Sequence, residues 1–536
     1  MFTATLLRSV FRVAAFLFGA FCLDVGSVQA KDATQSTAEM TARRVEATQF
    51  FRAPMSSIQL VAPEEGIEHL RKDPRSYIDA ELRSDGKSYG LVELKLKGAE
   101  GSFRPVDEKP CFTIAFKKHA GATFHGLEKF HLNNAREDPS FLRQTICGEI
   151  ARSGGVPAAR CTHAFVRLNE RDLGLYVLVE SYTRDFLADF YKDTGGALFE
   201  GGFCKDIDEG LILHFGASDV SEIDPLLAAC REEDSAQRWQ KLRTNLDVDR
   251  YASFLAMESL LGVGDGYDFF RNNYRLYREP KTHLVSFILH GMDEPIKDVN
   301  FPIQRSPDSI VGRAFISDPE GRRLYRERAA DLYQRAFLKT DWPARVDELI
   351  RRVQAGFAAT HREPDGGLMD NMKEFRGMVK ERVERIGAML ADLPEPPVFD
   401  KAGVALLTKG WFAQTGDNAK LDRANVAGEA VFRITMSGPG QASWRLSLQL
   451  GAGKYRFTAK LKTSGVRGGT GAGLRISGHD PAGEWSKGDG GWLPVSYEFE
   501  IGEGGGDVVL VAELRASSGT VLFADKSMQL VHEKEN

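Results

Sequence analysis

The acidic residues that could act together lie between Glu258 and Asp293. The stretch Gly264-Asp265-Gly266-Tyr267-Asp268-Phe269-Phe270-Arg271-Asn272-Asn273-Tyr274 runs into two strand-like segments, Tyr274 to Tyr277 and His283 to Leu289. A turn at Glu279-Pro280-Lys281 joins them, and His290-Gly291-Met292-Asp293 follows. The order is acidic loop, asparagine, hairpin, aspartate. Phosphoryl transfer needs that inventory. A carboxylate must take the proton of an acceptor hydroxyl, and hard oxygen ligands must hold one or two Mg²⁺ ions that bridge nucleotide phosphates. Asp and Asn are also the residues of ordinary turns, so a plain loop is the competing reading of the spacing alone.

A nucleotide also needs a cradle and a cation. Gly98 and Gly101 with Ser102 form a glycine-bearing turn whose backbone N–H groups suit phosphate oxygens, and Lys109 opens the strand that follows. Protein kinases place an Asn five residues after their catalytic Asp. Asp268 and Asn273 have that spacing, with Asp265 three residues upstream as the other candidate.

The elements that must position these groups are partly visible. Leu91 to Leu96 and Phe112, Ile114, Phe116 alternate with period two, as half-buried strands do. Leu142, Ile146 and Ile150 recur at helical spacing, with Asp138 as the expected N-cap and Gly154-Gly155 as the stop. His163 to Leu168 and Gly174 to Val179 read as strands joined by a turn. Asp341 to Gln354 and Met369 to Leu393 read as helices whose Arg, Lys and Glu residues form solvated faces. Asp206-Ile207-Asp208-Glu209-Gly210 lacks the order of a calcium loop and reads as a solvated turn. Leu393-Pro394-Glu395-Pro396-Pro397 marks a linker. Beyond it, short apolar or alternating runs separated by glycine-rich turns predict an antiparallel β-sandwich over 398–536.

Taken in order, several pieces resemble the CotH family of secretory-pathway protein kinases. They are Lys97 to Arg104 with Lys109-Pro110; Phe130-His131-Leu132-Asn133-Asn134 with Asp138-Pro139-Ser140-Phe141-Leu142-Arg143; Gly155-Val156-Pro157-Ala158; Gly174 to Glu180; the 265–277 stretch; and His290 to Asp293. The resemblance implies an α+β fold, an atypical protein-kinase-like two-lobed domain over 56–393. It implies binding of ATP and Mg²⁺ and phosphorylation of Ser or Thr on secreted or surface proteins. It makes Asp265 the catalytic residue, with Asp268 its near rival. Asn272 or Asn273 would hold metal with Asp293, the choice falling on Asn273. Gly101, Ser102 and Lys109 would hold the nucleotide. The turn Gly98-Ala99-Glu100-Gly101-Ser102 departs from the family's Arg-Gly-Asn-Ser-Ser type, and Gly-Met-Asp replaces Asp-Tyr-Asp. The sandwich resembles carbohydrate-binding modules of the galactose-binding-like jelly-roll type. Trp411, Trp444, Trp485 and Trp492 are the residues concerned, with Trp444 expected in the core, and glycan is the implied partner. A non-enzymatic surface protein with a degenerate kinase-like fold and a glycan-binding sandwich is the alternative.

The whole chain bounds these readings. It has 536 residues, 42% hydrophobic and 27% charged, which excludes a disordered or fibrous protein. Its net charge of −5 argues against a nucleic-acid binder. Arg8 and Arg12, an apolar stretch from Val13 to Leu23, and Val28-Gln29-Ala30 form a signal-peptide pattern over 1–30, with cleavage expected after Ala30 and a secreted or periplasmic product. A polar, flexible leader is expected over 31–55. No stretch is long and apolar enough to span a membrane. The cysteines show no CxxC pair, so neither a zinc ribbon nor a thioredoxin-type site is supported.

Overall fold

The computed structural model describes residues 25–533 except 100, 117–121, 217–218, 395, 482–484 and 503–504. By their contacts these fall into two compact units. The first holds the described residues up to Phe141, with Ala159–Thr194 and Leu349–Leu368; the second holds Leu142–Ala158, Gly195–Glu348 and the described residues from Met369 onward.

The first unit is built on a closed barrel. Its strands are β1 (Ser56–Val61), β2 (Ile78–Ser84), β3 (Lys87–Lys97), β4 (Cys111–Ala115), β5 (Lys129–Asn133), β6 (Cys161–Leu168) and β7 (Arg171–Glu180). They run in the order β1-β2-β3-β4-β5-β7-β6, and the parallel pairing of β1 with β6 closes the ring. Closure leaves no strand edge unpaired. Leu60, Leu82, Leu94, Ile114, Phe130 and Leu132 fill the interior, each burial contributing about 1.5–3 kcal/mol.

The stretch expected as a flexible leader is instead the greater part of a helix, Val25–Arg52. Its last turns bury Ala47, Phe50 and Phe51 in the barrel core, while Arg43 bonds Asp185 and Arg44 bonds Asp189. A polar composition hid one apolar stripe. The expected signal segment lies outside the described residues up to residue 24, and Ala30 falls within the helix.

In the second unit a helix, Arg143–Ser153, buries Ile146 and Ile150 as expected and stops at Gly154. The expected cap differs. In the first unit, Asp138 accepts from the backbone N–H and hydroxyl of Ser140, and the helix begins later, after Leu142. A small sheet follows: β8 (Ala197–Glu200), β9 (Ile212–Phe215), β10 (Tyr274–Arg278) and β11 (Val285–Leu289), in the order β11-β10-β8-β9.

The C-terminal strands are β12 (Val404–Leu406), β13 (Phe412–Gln414), β14 (Ala419–Val426), β15 (Glu429–Met436), β16 (Gly440–Leu450), β17 (Gly453–Arg467), β18 (Gly471–Ile476), β19 (Leu493–Ile501), β20 (Gly506–Ala516), β21 (Ser518–Ala524) and β22 (Gln529–Glu533). They form two antiparallel sheets, β12-β22-β17-β21-β15-β14 with β19 beside β17, and β13-β16-β20-β18. Phe432, Phe457, Leu461, Leu510, Leu514 and Phe523 form the core of the sandwich.

Candidate active site

Asp265, Asn273 and Asp293 all belong to the second unit. The helix Val248–Leu261 ends at Gly262, whose φ of 65° costs nothing in the absence of a Cβ. The chain passes through Asp265 into one helical turn, Tyr267–Phe270. Glu258, fully buried on the preceding helix, accepts the backbone N–H of Tyr267 at 2.9 Å and of Asp268 at 3.1 Å. A Cβ on Gly266 would lie 2.4 Å from Glu258 Oε1, so this glycine is what lets the carboxyl close on the loop.

Arg271 and Asn273, both left-handed, then reverse the chain into β10, an arrangement that Asn tolerates better than most residues. From there Asn273 Nδ2 donates to Asp265 Oδ2 at 2.5 Å. The β10–β11 hairpin returns the chain to Gly291, where a Cβ would lie 2.4 Å from Asn273 Oδ1. The hairpin thus brings the segment leading to Asp293 against the Asn273 amide.

Burial, and then the negative charges of Glu294 and Asp293, push the Asp265 carboxyl up to about 7. Its Oδ1 is buried with no hydrogen-bond partner among the described residues. An acceptor without a donor beside two further carboxylates is a setting that a divalent cation or a donating hydroxyl would relieve. Among the described residues no group of three or more His, Cys, Asp or Glu is placed to hold a metal on its own. Mg²⁺ usually takes only one or two protein carboxylates, its shell being completed by phosphates and water.

Asp268 does something else. It is fully buried, and its Oδ1 accepts from Tyr251 Oη and Ser309 Oγ, both at 2.6 Å. Its carbonyl accepts Asp308 N at 2.7 Å. The kinase-like spacing to Asn273 thus falls on a buried node, while Asp265, only partly buried, is beside Asn273.

Sequence reading missed several residues that position this loop. Tyr251 sits within an apolar helical run that carries no polar signal, and Glu258 entered only as the start of the acidic stretch, with no role. Asp206 is no solvated turn: it is buried, accepting from Tyr267 Oη and Ile310 N, both at 2.7 Å. Arg382 lies in a stretch expected to be a solvated face, yet it is fully buried. Its guanidinium donates to the carbonyls of Ser259, Leu260, Val299 and Phe301. It ties the end of the helix before Asp265 to the segment after Asp293. Only the mismatch between a 24-residue amphipathic helix and one inward arginine could have signalled it.

Lys109, Gly101 and Ser102 belong to the first unit. The Lys109 Nζ lies 5.0 Å from the Phe141 ring centre and 5.3 Å from that of Tyr176, and burial lowers its pKa. A cation between two aromatic faces, with no carboxylate bonded to it among the described residues, is suited to an anion. Asn134 clasps the region, donating to the carbonyls of Ser102 at 3.0 Å and Lys109 at 2.8 Å. The Gly101 turn is less open than expected, since a Cβ there would meet the Glu137 carboxylate at 2.6 Å. Glu100 lies outside the described residues. Glu180 is structural, buried in an ion pair with Arg160.

In the sandwich, Trp411 and Trp444 are core residues whose indole N–H groups bond the carbonyls of Leu407 and Arg433. Trp485 lies over Gly473 on the outer face of β18, with its Nε1 buried and without a hydrogen-bond partner among the described residues. Trp492 is exposed.

The family model for CotH kinase protein matches residues 94–382, and the chain belongs to that family. It is 26% identical over 197 residues to the inner spore coat protein H of Bacillus subtilis (strain 168), a match covering 34% of this chain and 53% of that protein. The chain thus spans about half the length of this curated relative. Among solved structures, the Helicobacter pylori proinflammatory kinase CtkA aligns at 9% identity and a TM-score of 0.29, covering 62% of this chain and 96% of that one. A carbohydrate-binding module, TmCBM61, solved with beta-1,4-galactotriose, aligns at 20% identity and a TM-score of 0.19, covering 24% of this chain and 90% of that one. No described helix is long and apolar enough to cross a membrane.

Proposed function

We propose that this protein is an exported kinase that transfers the γ-phosphate of ATP to Ser or Thr hydroxyls of secreted or surface proteins. The observation that carries the reading is the Asp265–Asn273 pair, with Asp293 near enough to raise the proton affinity of Asp265. A carboxyl near neutrality is well matched to accepting a hydroxyl proton. In the step proposed, the acceptor oxygen bonds to the γ-phosphorus as the bond to ADP breaks, and the hydroxyl proton passes to Asp265. Asp293 and the Asn273 amide oxygen would hold Mg²⁺, which neutralises phosphate charge when bound. Lys109, with Gly101 and Ser102, would hold the nucleotide phosphates.

The test is transfer of labelled phosphate from ATP, with Mg²⁺ and a generic protein substrate, by the wild type, Asp265→Asn and Asp293→Ala. Loss in both variants supports the site; equal labelling in all three removes it.

A second reading rests on the outer face of the β13-β16-β20-β18 sheet. There Glu513, almost fully buried, is gripped by Arg475 at 2.8 Å and Arg515 at 2.9 Å, and the Trp485 ring lies alongside. An indole ring beside fixed polar groups suits a sugar ring. Glycan retention without any phosphate transfer would favour a binding protein.

A further inference from the structure

Asp293 lies on a short span with fixed ends. On one side Gly291 abuts the Asn273 amide and Met292 is buried; on the other Pro295 and Ile296 are buried. Asp293 and Glu294, between them, are half-buried.

Ile296 is the unusual residue. Its φ of 57° is left-handed, a conformation that a β-branched residue rarely adopts. Glycine would hold that turn without strain. Strain of this kind persists where the surroundings over-determine it, and here they do. The Ile296 side chain is 1% exposed, and its backbone N–H donates to the Leu261 carbonyl at 2.8 Å. One residue earlier, the Pro295 carbonyl accepts from Arg143 Nη1 at 2.7 Å.

Arg143 opens the helix Arg143–Ser153 and is itself buried. Its guanidinium lies 4.9 Å from the Phe375 ring centre, and its Nη2 donates to the Met378 sulfur at 3.5 Å. Phe375, Met378 and Arg382 recur at i, i+3 and i+7, one face of the helix Leu368–Ala391. That face backs Arg143 on the Pro295 carbonyl and carries Arg382 to the carbonyls of Val299 and Phe301.

The bond from Ile296 ties two carboxylates to one element. Leu261 ends the helix Val248–Leu261, and helix ends leave carbonyls without intrahelical donors. Arg382 takes those of Ser259 and Leu260, and Ile296 takes that of Leu261. Asp265 follows Leu261 by four residues, and Asp293 precedes Ile296 by three. Short stretches of chain thus connect both aspartates to the same helix end. We infer that Arg143 and Ile296 are positioning residues, which fix Asp293 relative to Asp265 before any nucleotide arrives. In protein kinases a phenylalanine follows the metal-holding aspartate, and its packing switches the site on or off. Here Glu294 follows Asp293, and the hold is on the backbone beyond it, so the site is preset. The bearing of this on Mg²⁺ rests on the proposed function, whereas the fixing of the segment does not.

The test has two arms. The first is amide hydrogen exchange of the full chain without ligand, read over 290–298. Arg143→Met and Ile296→Gly should speed exchange there about tenfold or more and leave the β10–β11 hairpin unchanged. Arg143→Lys keeps a donor and Ile296→Val keeps the buried β-branched turn, so both should stay within about threefold of the wild type. The second arm is the Mg²⁺ dependence of phosphate transfer. Arg143→Met and Ile296→Gly should raise the half-saturating Mg²⁺ concentration about tenfold or more and keep the maximal rate within about threefold, because saturating Mg²⁺ recaptures Asp293. A lowered maximal rate with an unchanged Mg²⁺ requirement is what a merely structural role would give, and it overturns the proposal. So does unchanged exchange over 290–298 in both of these variants, or exchange there in the wild type as fast as in an unfolded chain. Absence of transfer by the wild type removes the kinase reading alone, and the exchange arm then decides whether the segment is fixed.

Discussion

Asp265 and Asp268 are three residues apart and identical in type, and they sit in opposite surroundings, one partly exposed beside Asn273 and the other fully buried. Asp265→Asn should reduce phosphate transfer by about 10²–10⁴-fold, the usual contribution of a positioned base. The wild-type rate should rise with pH up to about 7 as the Asp265 carboxyl ionises, and bound Mg²⁺ should move that limb to lower pH. The same carboxyl affects stability with a definite sign. Its folded pKa is raised, so the folded chain holds the extra proton between about pH 4 and 7, and stability falls as pH rises through that window. Asp265→Asn should therefore melt higher than the wild type at pH 8 and no higher near pH 4. A higher wild-type melting point at pH 8 would contradict the assignment of this pKa. Gly291→Ala belongs to this scale too. A φ of 59° and a Cβ 2.4 Å from Asn273 Oδ1 should cost about 1–3 kcal/mol and displace the amide. Urea denaturation measures the first effect, and loss of a Mg²⁺–ATP melting shift measures the second.

At the scale of elements, the loop from 262 to 273 is held from below by buried polar groups rather than by its own turns. Asp268→Ala leaves the Tyr251 and Ser309 hydroxyls without their acceptor, each costing about 1–3 kcal/mol. Its primary effect should be a lowered urea midpoint, whereas Asp265→Asn should act first on transfer. Arg382→Ala removes the donor to four carbonyls on two segments, and should lower stability by roughly 3 kcal/mol or more. Arg382→Lys should recover little, because an ammonium cannot span both segments as the planar fork does. Legibility at this scale followed local periodicity. The strands over 91–96, 112–116, 163–168 and 174–179 and the hairpin at 274–289 lie within or overlap observed strands, since alternation of apolar residues is a local signal. The helix Val25–Arg52 was missed because the residues it gives to the barrel core, Ala47, Phe50 and Phe51, lie at its end, and the polar remainder dominated its composition.

For the molecule as a whole, a CotH kinase domain and a two-sheet sandwich occur in one chain. If the sandwich grips glycan through Trp485, Trp485→Ala should lower retention on immobilised polysaccharide at least tenfold, while phosphate transfer to a soluble protein substrate stays within about twofold. Retention unchanged in that variant would exclude this face as the glycan surface.

The types and order of residues were enough to single out Asp265, Asn273 and Asp293 as one candidate group, to assign the family, and to predict strands beyond the proline-rich linker. Those properties depend on near neighbours and on motif order, which the chain carries explicitly. Which aspartate stays accessible, that Glu258, Asp206 and Arg382 hold the loop from inside, and that Trp485 rather than Trp411 or Trp444 reaches a surface were decided only by packing. Burial and hydrogen bonding between residues up to 123 positions apart set those outcomes, and no local pattern encodes which distant carbonyl an arginine will meet.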